Sequence, residues 1–238
     1  MIKNIAIIQA RDSSKRFPKK ILYKIRNYII LEWIIKRLQK SKKVNKIILA
    51  TPKNGTNYKL KKIATKYNID FFMGSEDNVI HRYVKSLKNI KDKNTNIIRV
   101  CADNPFIDSK EIDKLIDYFN LNEFDYAYNH CPIGQCNYPD GFGGEIVKLR
   151  TLIKIYESKL TKKQKEHIFN YVWDNRQLFT ISFLKASKKI SFPNLKFDID
   201  TKHDWKSIVN FVTYSNIKIN NTAEHIVKKY NEYKRTKY

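Results

Sequence analysis

Residues 5–20 read IAIIQARDSSKRFPKK, a short apolar run that passes directly into a basic loop. The run from Ile5 to Gln9 is too short for a helix, so it predicts a buried strand. The following eleven residues, 10–20, contain five basic side chains, two serines and a proline. This composition ends the strand and predicts a connection that leaves its carboxyl end.

The same alternation of strand and helix continues through the first half of the chain. β-Rich runs predict further strands at Lys46–Thr51, Phe71–Met73, Ile97–Ala102 and Asp125–Tyr128. Amphipathic spacing predicts helices at Ile29–Lys40, Tyr58–Tyr67, Val79–Ile90 and Lys110–Phe119. Strands separated by helices indicate an α/β protein with a mostly parallel sheet covered by helices on both faces. Ligands bind beyond the carboxyl ends of such strands, where loop 10–20 and the turn at Asp103 are both expected.

The second half carries weaker patterns. Residues 131–144 are rich in turn formers, while Thr151–Lys159 and Gln164–Asn170 predict helices. The chain closes with the stretch LKFDIDTKHDW at residues 195–205 and a helical tail, and FDID at residues 197–200 predicts an extended segment. Because no linker, repeat or low-complexity tract divides the chain, we expect one domain over residues 1–238 with an elaborated second half at about 130–195.

Composition limits the classes of function. The chain has 238 residues and 42% hydrophobic residues, which fits a globular protein with a substantial core. It has no apolar stretch long enough to span a membrane and no signal-peptide pattern, so we expect a cytoplasmic protein. Cys101, Cys131 and Cys136 form no C-x-x-C pair, and we expect them to be reduced thiols.

The charge is strongly basic, with 47 Lys and Arg against 23 Asp and Glu and a formal net charge of +24. A nucleic-acid partner would be the first interpretation. However, the lysines are spread along a chain rich in Asn and Ile, as in proteins from AT-rich genomes. Trp33, Phe72 and Phe106 also fall on apolar segments, where core packing explains them better than base stacking. We therefore expect no nucleic-acid partner.

Loop 10–20 has the chemistry of a phosphate-binding segment. Arg11 and Arg16 supply guanidinium forks, Ser14 a hydroxyl and Lys20 an ammonium, all suited to a triphosphate. The loop matches neither of the two best-known glycine-rich phosphate loops, and a solvated surface loop is the alternative interpretation.

A bound triphosphate needs a divalent cation, and Mg²⁺ prefers one or two carboxylates together with phosphate oxygens and water. Asp103 follows a predicted strand, and Asp198 and Asp200 share one side of an extended segment. One carboxylate from each stretch would be sufficient. Helix capping is the alternative role for Asp103 and Asp200.

The pattern A-R-x-x-S-x-R-x-P-x-K at residues 10–20 resembles the signature of the cytidylyltransferases that activate bacterial sugars. The chain looks most like the spore-coat polysaccharide biosynthesis branch, with the 3-deoxy-manno-octulosonate cytidylyltransferases more distant. Six further blocks resemble that family in the same order, and they cover most of the chain from Ile5 to about Ile208: LEWIIKRLQKSKKVNKIILAT, FMGSEDNVIHRY, RVCADNPFID, YPDGFGGEIV, KEHIFNYVWDN and LKFDIDTKHDW.

The resemblance implies a Rossmann-like nucleotide-diphospho-sugar transferase fold, a homodimer, and transfer of CMP from CTP to a sugar or sugar acid for surface polysaccharide or glycoconjugate biosynthesis. Residues implied at the nucleotide are Ala10, Arg11, Ser14, Arg16, Lys20 and Asp103, of which Arg16, Lys20 and Asp103 are implied to be catalytic. Asp103 and Asp200 are implied to hold Mg²⁺. Residues implied at the acceptor are Asp140, Glu145, Glu166 and His167, the last of which could also be a packed helix histidine.

Several positions depart from the family pattern. No glycine occurs before Gly55, and Asp12 adds a negative charge to the proposed phosphate loop. Relatives usually carry an acidic residue where Gly143 stands and an uncharged residue where Asp198 stands, so Asp198 ranks below Asp200 as a metal ligand. The acceptor and the base therefore stay open: a phosphorylated alditol, an amino acid phosphate or a phosphonate could replace the sugar, and a noncatalytic nucleotide binder is a further alternative.

Overall fold

A computed structural model describes residues 3–11, 16–53, 57–130 and 136–236. The predicted strands of the first half are confirmed as β1 (Asn4–Gln9), β4 (Lys46–Pro52), β5 (Asp70–Gly74), β6 (Asn96–Cys101) and β7 (Tyr126–Tyr128). A small hairpin, β2 (Lys24–Ile25) and β3 (Tyr28–Ile29), lies between β1 and the first helix. Two strands of the second half, β8 (Glu145–Lys148) and β9 (Ile181–Phe183), were not predicted.

The described residues form one seven-stranded sheet in the order β5-β4-β1-β6-β8-β7-β9. β1 is the third strand in this order and pairs in parallel with β4 and β6. β8 is antiparallel to both of its neighbours, so the other six strands share one direction. Residues 4–8 of β1 are all buried, and because alternate side chains of a strand point to opposite faces, both faces of the sheet are covered there. The expected mostly parallel sheet is confirmed.

The predicted helices of the first half are also confirmed, with shifts at their ends. They are α1 (Ile30–Leu38), α2 (Tyr58–Lys66), α3 (Val79–Ser86) and α4 (Ser109–Asn120), and α5 (Leu149–Glu157) follows β8. The single helix predicted over Gln164–Asn170 is wrong. Two short helices, α6 (Lys162–Glu166) and α7 (Asn170–Asp174), replace it, with His167 in an extended conformation where α6 ends.

The C-terminal part consists of α8 (Lys202–Tyr214) and α9 (Ala223–Arg235). Thr201 caps α8 by accepting a hydrogen bond from the amide of Asp204. Phe211 of α8 contacts Phe106 in the loop that follows β6, and both rings are fully buried. Trp33 is buried beside Phe106, as the apolar spacing predicted, whereas Phe72 is only half-buried.

A buried arginine fastens the C-terminal helices to the loop after β6. Arg37 donates to the carbonyls of Phe106 and Ile107 and also to those of Ile219 and Asn221. One side chain therefore joins the loop after β6 to the connection between α8 and α9. Across the described residues, no helix is long and apolar enough to cross a lipid bilayer.

Candidate active site

The carboxyl ends of β1 and β6 lie next to each other, because Gln9 pairs with Cys101 in the parallel ladder. The segment after Gln9 and the turn after Cys101 therefore face the same edge of the sheet. Ala10 is buried and its amide donates to Ala50 in β4, while Arg11 is exposed. Ser14 and Asp12 lie outside the described residues, so their predicted roles stay predictions.

Lys20 connects the basic loop to the turn after β6. It begins a short 3₁₀ helix, Lys20–Leu22, and the preceding Lys19 adopts a left-handed conformation with φ of 57°. The ammonium of Lys20 lies 2.9 Å from Asp103 Oδ2 and 3.3 Å from Asp200 Oδ1. Two carboxylates separated by 97 residues in sequence thus meet at one cation.

Arg16 lies on the open side of this cluster. Its guanidinium is 2.9 Å from Asp200 Oδ2, and its side chain is 68% exposed. The backbone also joins the two acidic stretches, because the amide of Ile199 donates to the carbonyl of Asp103 at 2.9 Å. The structure therefore brings together Arg16, Lys20, Asp103 and Asp200.

Two more carboxylates adjoin this cluster. Asp140 pairs through its backbone with Leu195 and Phe197 in a short parallel bridge, which brings it to the segment that carries Asp198. Burial, together with the nearby charges of Asp198 and Asp103, raises the pKa of Asp140 to about 7. Burial likewise raises the pKa of Asp198, although Lys196, 3.3 Å away, opposes the shift. Four carboxylates thus lie close together in the cleft.

The carboxylates have the oxygen chemistry that Mg²⁺ prefers. Asp103 and Asp200 direct oxygens toward one common position, and Asp198 Oδ1 is buried with no hydrogen-bond partner among the described residues. Within the described ranges, no group of three His, Cys, Asp or Glu side chains could hold a metal ion by itself. The residues therefore fit a cation that takes its other ligands from phosphate oxygens and water.

Comparison with known proteins decides the family. The profile of the cytidylyltransferase family matches residues 5–235. The chain belongs to the cytidylyltransferases. It is 32% identical over 208 residues to the spore coat polysaccharide biosynthesis protein SpsF of Bacillus subtilis, a match that covers 85% of this chain and 83% of that protein. It is also 32% identical over 205 residues to an uncharacterized protein of Methanocaldococcus jannaschii, covering 86% and 81% of the two chains.

Solved structures of cytidylyltransferases share this fold. A cytidylyltransferase from Leptospira borgpetersenii superposes with a TM-score of 0.89 at 25% identity, covering 99% of this chain and 96% of that chain. A CMP:2-keto-3-deoxy-manno-octonic acid synthetase solved with CTP gives a TM-score of 0.66 at 13% identity, covering 89% and 99% of the two chains. The Rossmann-like nucleotidyltransferase fold predicted for this cytidylyltransferase is confirmed.

Glu145, expected at the acceptor, lies in a buried polar network of the cytidylyltransferase sheet. Its carboxylate forms a close ion pair with Arg99 on β6 and accepts a hydrogen bond from Tyr126 at 2.6 Å. His130 Nε2 lies 3.9 Å from the same carboxylate. Burial would raise the pKa of Glu145, but Arg99 and His130 outweigh it and lower the pKa. Glu145 is thus an anion that orients its neighbours.

Sequence reasoning missed Arg99 and His130. Arg99 also donates through Nε to Gln9 at 3.1 Å, so it spans β1, β6 and β8 on one face of the sheet. His130 Nδ1 is buried without a partner among the described residues, and burial lowers the pKa of this histidine. The signal available in the sequence was the presence of one basic residue, Arg99, within the RVCADNPFID block.

Glu166 and His167 lie at the end of α6, and both are exposed. In the described part of the chain, neither side chain forms an ion pair or hydrogen bond with the carboxylate cluster. Their predicted role at the acceptor therefore stays a prediction. Cys101 is a free thiol in the described part of the chain, and Cys131 lies outside the described residues.

The glycine at position 143 has a physical reason. A Cβ atom there would lie 1.9 Å from the carbonyl oxygen of Asn129, so any side chain would force the backbone apart. Asn129 in turn exchanges hydrogen bonds with Gly144, through its own amide and through its side chain. An acidic side chain at position 143 cannot be accommodated without moving the segment at Asn129.

Proposed function

We propose that this cytidylyltransferase transfers CMP from CTP to a sugar or sugar-acid acceptor for surface polysaccharide or glycoconjugate biosynthesis, with Mg²⁺ as cofactor. The observation that carries the proposal is the convergence of Arg16 and Lys20 with Asp103 and Asp200 at the carboxyl ends of β1 and β6. Two relatives support the acceptor class: one is a spore coat polysaccharide biosynthesis protein, and one fold neighbour is a CMP:2-keto-3-deoxy-manno-octonic acid synthetase.

The residues on the loop side would bind the triphosphate. Arg16 is mostly exposed and therefore free to turn toward phosphate, and Arg11 is exposed on the same connection. Guanidinium groups bind phosphate oxygens through paired hydrogen bonds, and Lys20 would add a compact charge. Asp103 and Asp200 would hold Mg²⁺, which neutralises charge on the phosphate oxygens.

In the reaction, an acceptor oxygen attacks the α-phosphorus in line. The bond between the α-phosphorus and the bridging oxygen breaks, and pyrophosphate leaves with that oxygen. The protein contributes by positioning the reactants and by neutralising the charge that develops on the leaving group, through Arg16 and Lys20.

The acceptor would approach from the side of Asp140. Burial and neighbouring carboxylates raise the pKa of Asp140 to about 7, so this side chain suits a hydrogen bond to an acceptor hydroxyl near neutral pH. Glu145, with Arg99 and His130, would line the same side, and Glu166 and His167 would contribute from α6.

A pyrophosphate-release screen tests the proposal. Four nucleoside triphosphates are crossed with acidic sugars, phosphorylated alditols, amino acid phosphates and phosphonates, in the presence of Mg²⁺. We expect release with CTP and a sugar or sugar acid. Release with a phosphorylated alditol or a phosphonate instead would replace the acceptor class, and no release with any pair would contradict the proposal.

Two variants test the site. We expect Asp103→Asn and Lys20→Ala each to lower the rate of pyrophosphate release by about 10²-fold or more, the scale of one preorganised charged contact. Far-ultraviolet circular dichroism should show an unchanged fold. Asp117→Asn, which removes an exposed carboxylate paired with Lys43, is the matched control and should retain the wild-type rate. Wild-type turnover in both site variants would contradict the assignment.

A further inference from the structure

The ammonium of Lys20 lies between the two carboxylates that would bind the metal. Its contacts are Asp103 Oδ2 at 2.9 Å, the carbonyl of Ile199 at 2.8 Å and Asp200 Oδ1 at 3.3 Å. A lysine ammonium has three hydrogens to donate, so these three contacts use all of them. The side chain is 11% exposed, which holds the charge inside the cluster rather than in water.

Both carboxylate oxygens of Asp200 already contact a cationic side chain. Lys20 contacts Oδ1, and Arg16 holds Oδ2 at 2.9 Å. A metal ion bound to the same oxygens would lie within a few ångströms of the ammonium. Like charges at that separation repel, and the two charges of a divalent ion double the repulsion. Lys20 in its present position therefore opposes binding of a divalent cation between Asp103 and Asp200.

A triphosphate offers Lys20 and Arg16 an alternative partner. Phosphate oxygens carry more negative charge than the two carboxylates and accept the same hydrogen bonds. The backbone carbonyl of Ile199 is a neutral acceptor and does not compete with phosphate for the ammonium. When Lys20 and Arg16 turn to phosphate, the oxygens of Asp103 and Asp200 become free to coordinate a metal.

We propose that Lys20 makes metal binding depend on the nucleotide: in the free protein it occupies the metal position between Asp103 and Asp200, and bound CTP draws it away. This inference rests on the proposed function, since it takes CTP as the ligand. By thermodynamic linkage the dependence is reciprocal, so a metal ion raises the affinity for CTP by the same factor that CTP raises the affinity for the metal.

The test uses Mn²⁺ alone as the probe and needs neither CTP nor an acceptor. Free Mn²⁺ is measured by electron paramagnetic resonance while it is titrated with nucleotide-free protein. We expect weak binding to the wild type. We expect Lys20→Met, which keeps much of the side-chain length and removes the charge, to bind Mn²⁺ at least about 10-fold more tightly.

Lys196→Met is the matched control. Lys196 lies 3.3 Å from Asp198 and 4.0 Å from Asp200, so its loss also removes one positive charge from the cluster, but it does not bridge Asp103 and Asp200. We expect this variant to gain less than about 3-fold in Mn²⁺ affinity. An equal gain in both variants would show a general charge effect and overturn the proposal, as would a Lys20→Met affinity equal to that of the wild type.

A second variant locates the ion. Asp103→Asn introduced into Lys20→Met should abolish the gain in Mn²⁺ affinity, and a gain that persists would place the ion elsewhere and overturn the proposal. The effect of Mn²⁺ on nucleotide affinity is measured with α,β-methylene-CTP, an analogue that resists cleavage of the reacting bond. Mn²⁺ should tighten its binding to the wild type by about 10-fold and to Lys20→Met by much less.

The two proposals fail in different ways. A wild type that binds α,β-methylene-CTP but shows no coupling to Mn²⁺ would overturn the role of Lys20 and leave the proposed transfer reaction intact. A wild type that releases no pyrophosphate with any acceptor would overturn the proposed function, while the Mn²⁺ titration of the free protein would still decide what Lys20 does.

Discussion

Arg37 and Lys20 are both basic side chains that hold carboxylates, one beneath α4 and the other in the cleft. Arg37 is 4% exposed, and four of its contacts are backbone carbonyls that cannot move away. Asp108, 3.6 Å from it, also caps α4 and accepts from the first amide of α9. Lys20, by contrast, meets side-chain carboxylates that are 22% and 29% exposed.

The different acceptors distinguish an ion pair that stabilises the fold, at Arg37, from one that can change partners, at Lys20. Backbone carbonyls give Arg37 a fixed set of acceptors, and burial lowers its pKa to about 10 even though Asp108 opposes the shift. The cleft instead gathers the side chains of Asp103, Asp140, Asp198 and Asp200 around a few cations. Such a cluster of charged side chains suits a site that must admit a metal and a triphosphate.

Arg37→Ala tests the first half of this comparison and should have the largest effect on stability. The change leaves four carbonyls, two of them in buried hydrogen bonds, and Asp108 without this partner. We therefore expect the free energy of unfolding to fall by about 3–5 kcal/mol. Urea titration followed by circular dichroism measures the loss.

Lys20→Ala is the comparison variant for that experiment. Water can reach Asp103 and Asp200 when the ammonium is removed, so the loss of stability should be less than half of that for Arg37→Ala. Equal losses in the two variants would remove the distinction between a fixed and an exchangeable cluster.

The pH dependence of the free energy of unfolding tests how strongly the cleft perturbs Asp140. Because its pKa is raised to about 7, the folded protein keeps a proton between about pH 4 and pH 7 that the unfolded chain releases. Stability should therefore fall as pH rises through this window. A shift of that size corresponds to a few kcal/mol at most, and partial exposure to solvent reduces the expected effect to about 1–2 kcal/mol.

Asp140→Asn should remove that dependence. The variant is expected to be more stable than the wild type at pH 8 and nearly equal to it at pH 4, with unfolding measured in the presence of a chelator and without nucleotide. A difference between the variant and the wild type that stays constant from pH 4 to pH 8 would contradict the raised pKa.

The comparison also shows which parts of the molecule can be predicted from sequence. The β-α-β alternation of the first half follows from local spacing. Because ligands bind beyond the carboxyl ends of parallel strands, the sequence also predicted Arg16, Lys20 and Asp103 at one edge of the sheet. β8 and β9 escaped prediction because β8 adjoins a turn-rich segment and β9 has three residues. At that length, tertiary pairing rather than local preference decides the conformation.

Contacts between side chains that are distant in sequence could not be predicted either. Nothing near Arg37 in the sequence indicates that its acceptors are at positions 106–107 and 219–221, and the network of Arg99 with Glu145 has the same character. Lys196 likewise lies beside Asp198 because of the extended conformation of residues 195–200, which the alternation of that segment predicted without indicating the pairing. Such contacts follow from the assembled sheet and not from any local pattern.

Lys46→Ala should have the smallest effect and sets the lower end of the series. Lys46 opens β4 and lies 2.7 Å from Asp70 at the start of β5, but the two side chains are 42% and 56% exposed. Water screens such a pair, so the free energy of unfolding should fall by less than about 1 kcal/mol. Pyrophosphate release should be unchanged, because the pair lies at the amino-terminal ends of β4 and β5, opposite the edge that carries the cleft. A large loss of stability here would mean that solvent exposure does not determine how much an ion pair of this protein stabilises the fold. The contrast between Arg37 and Lys20 would then need another physical cause.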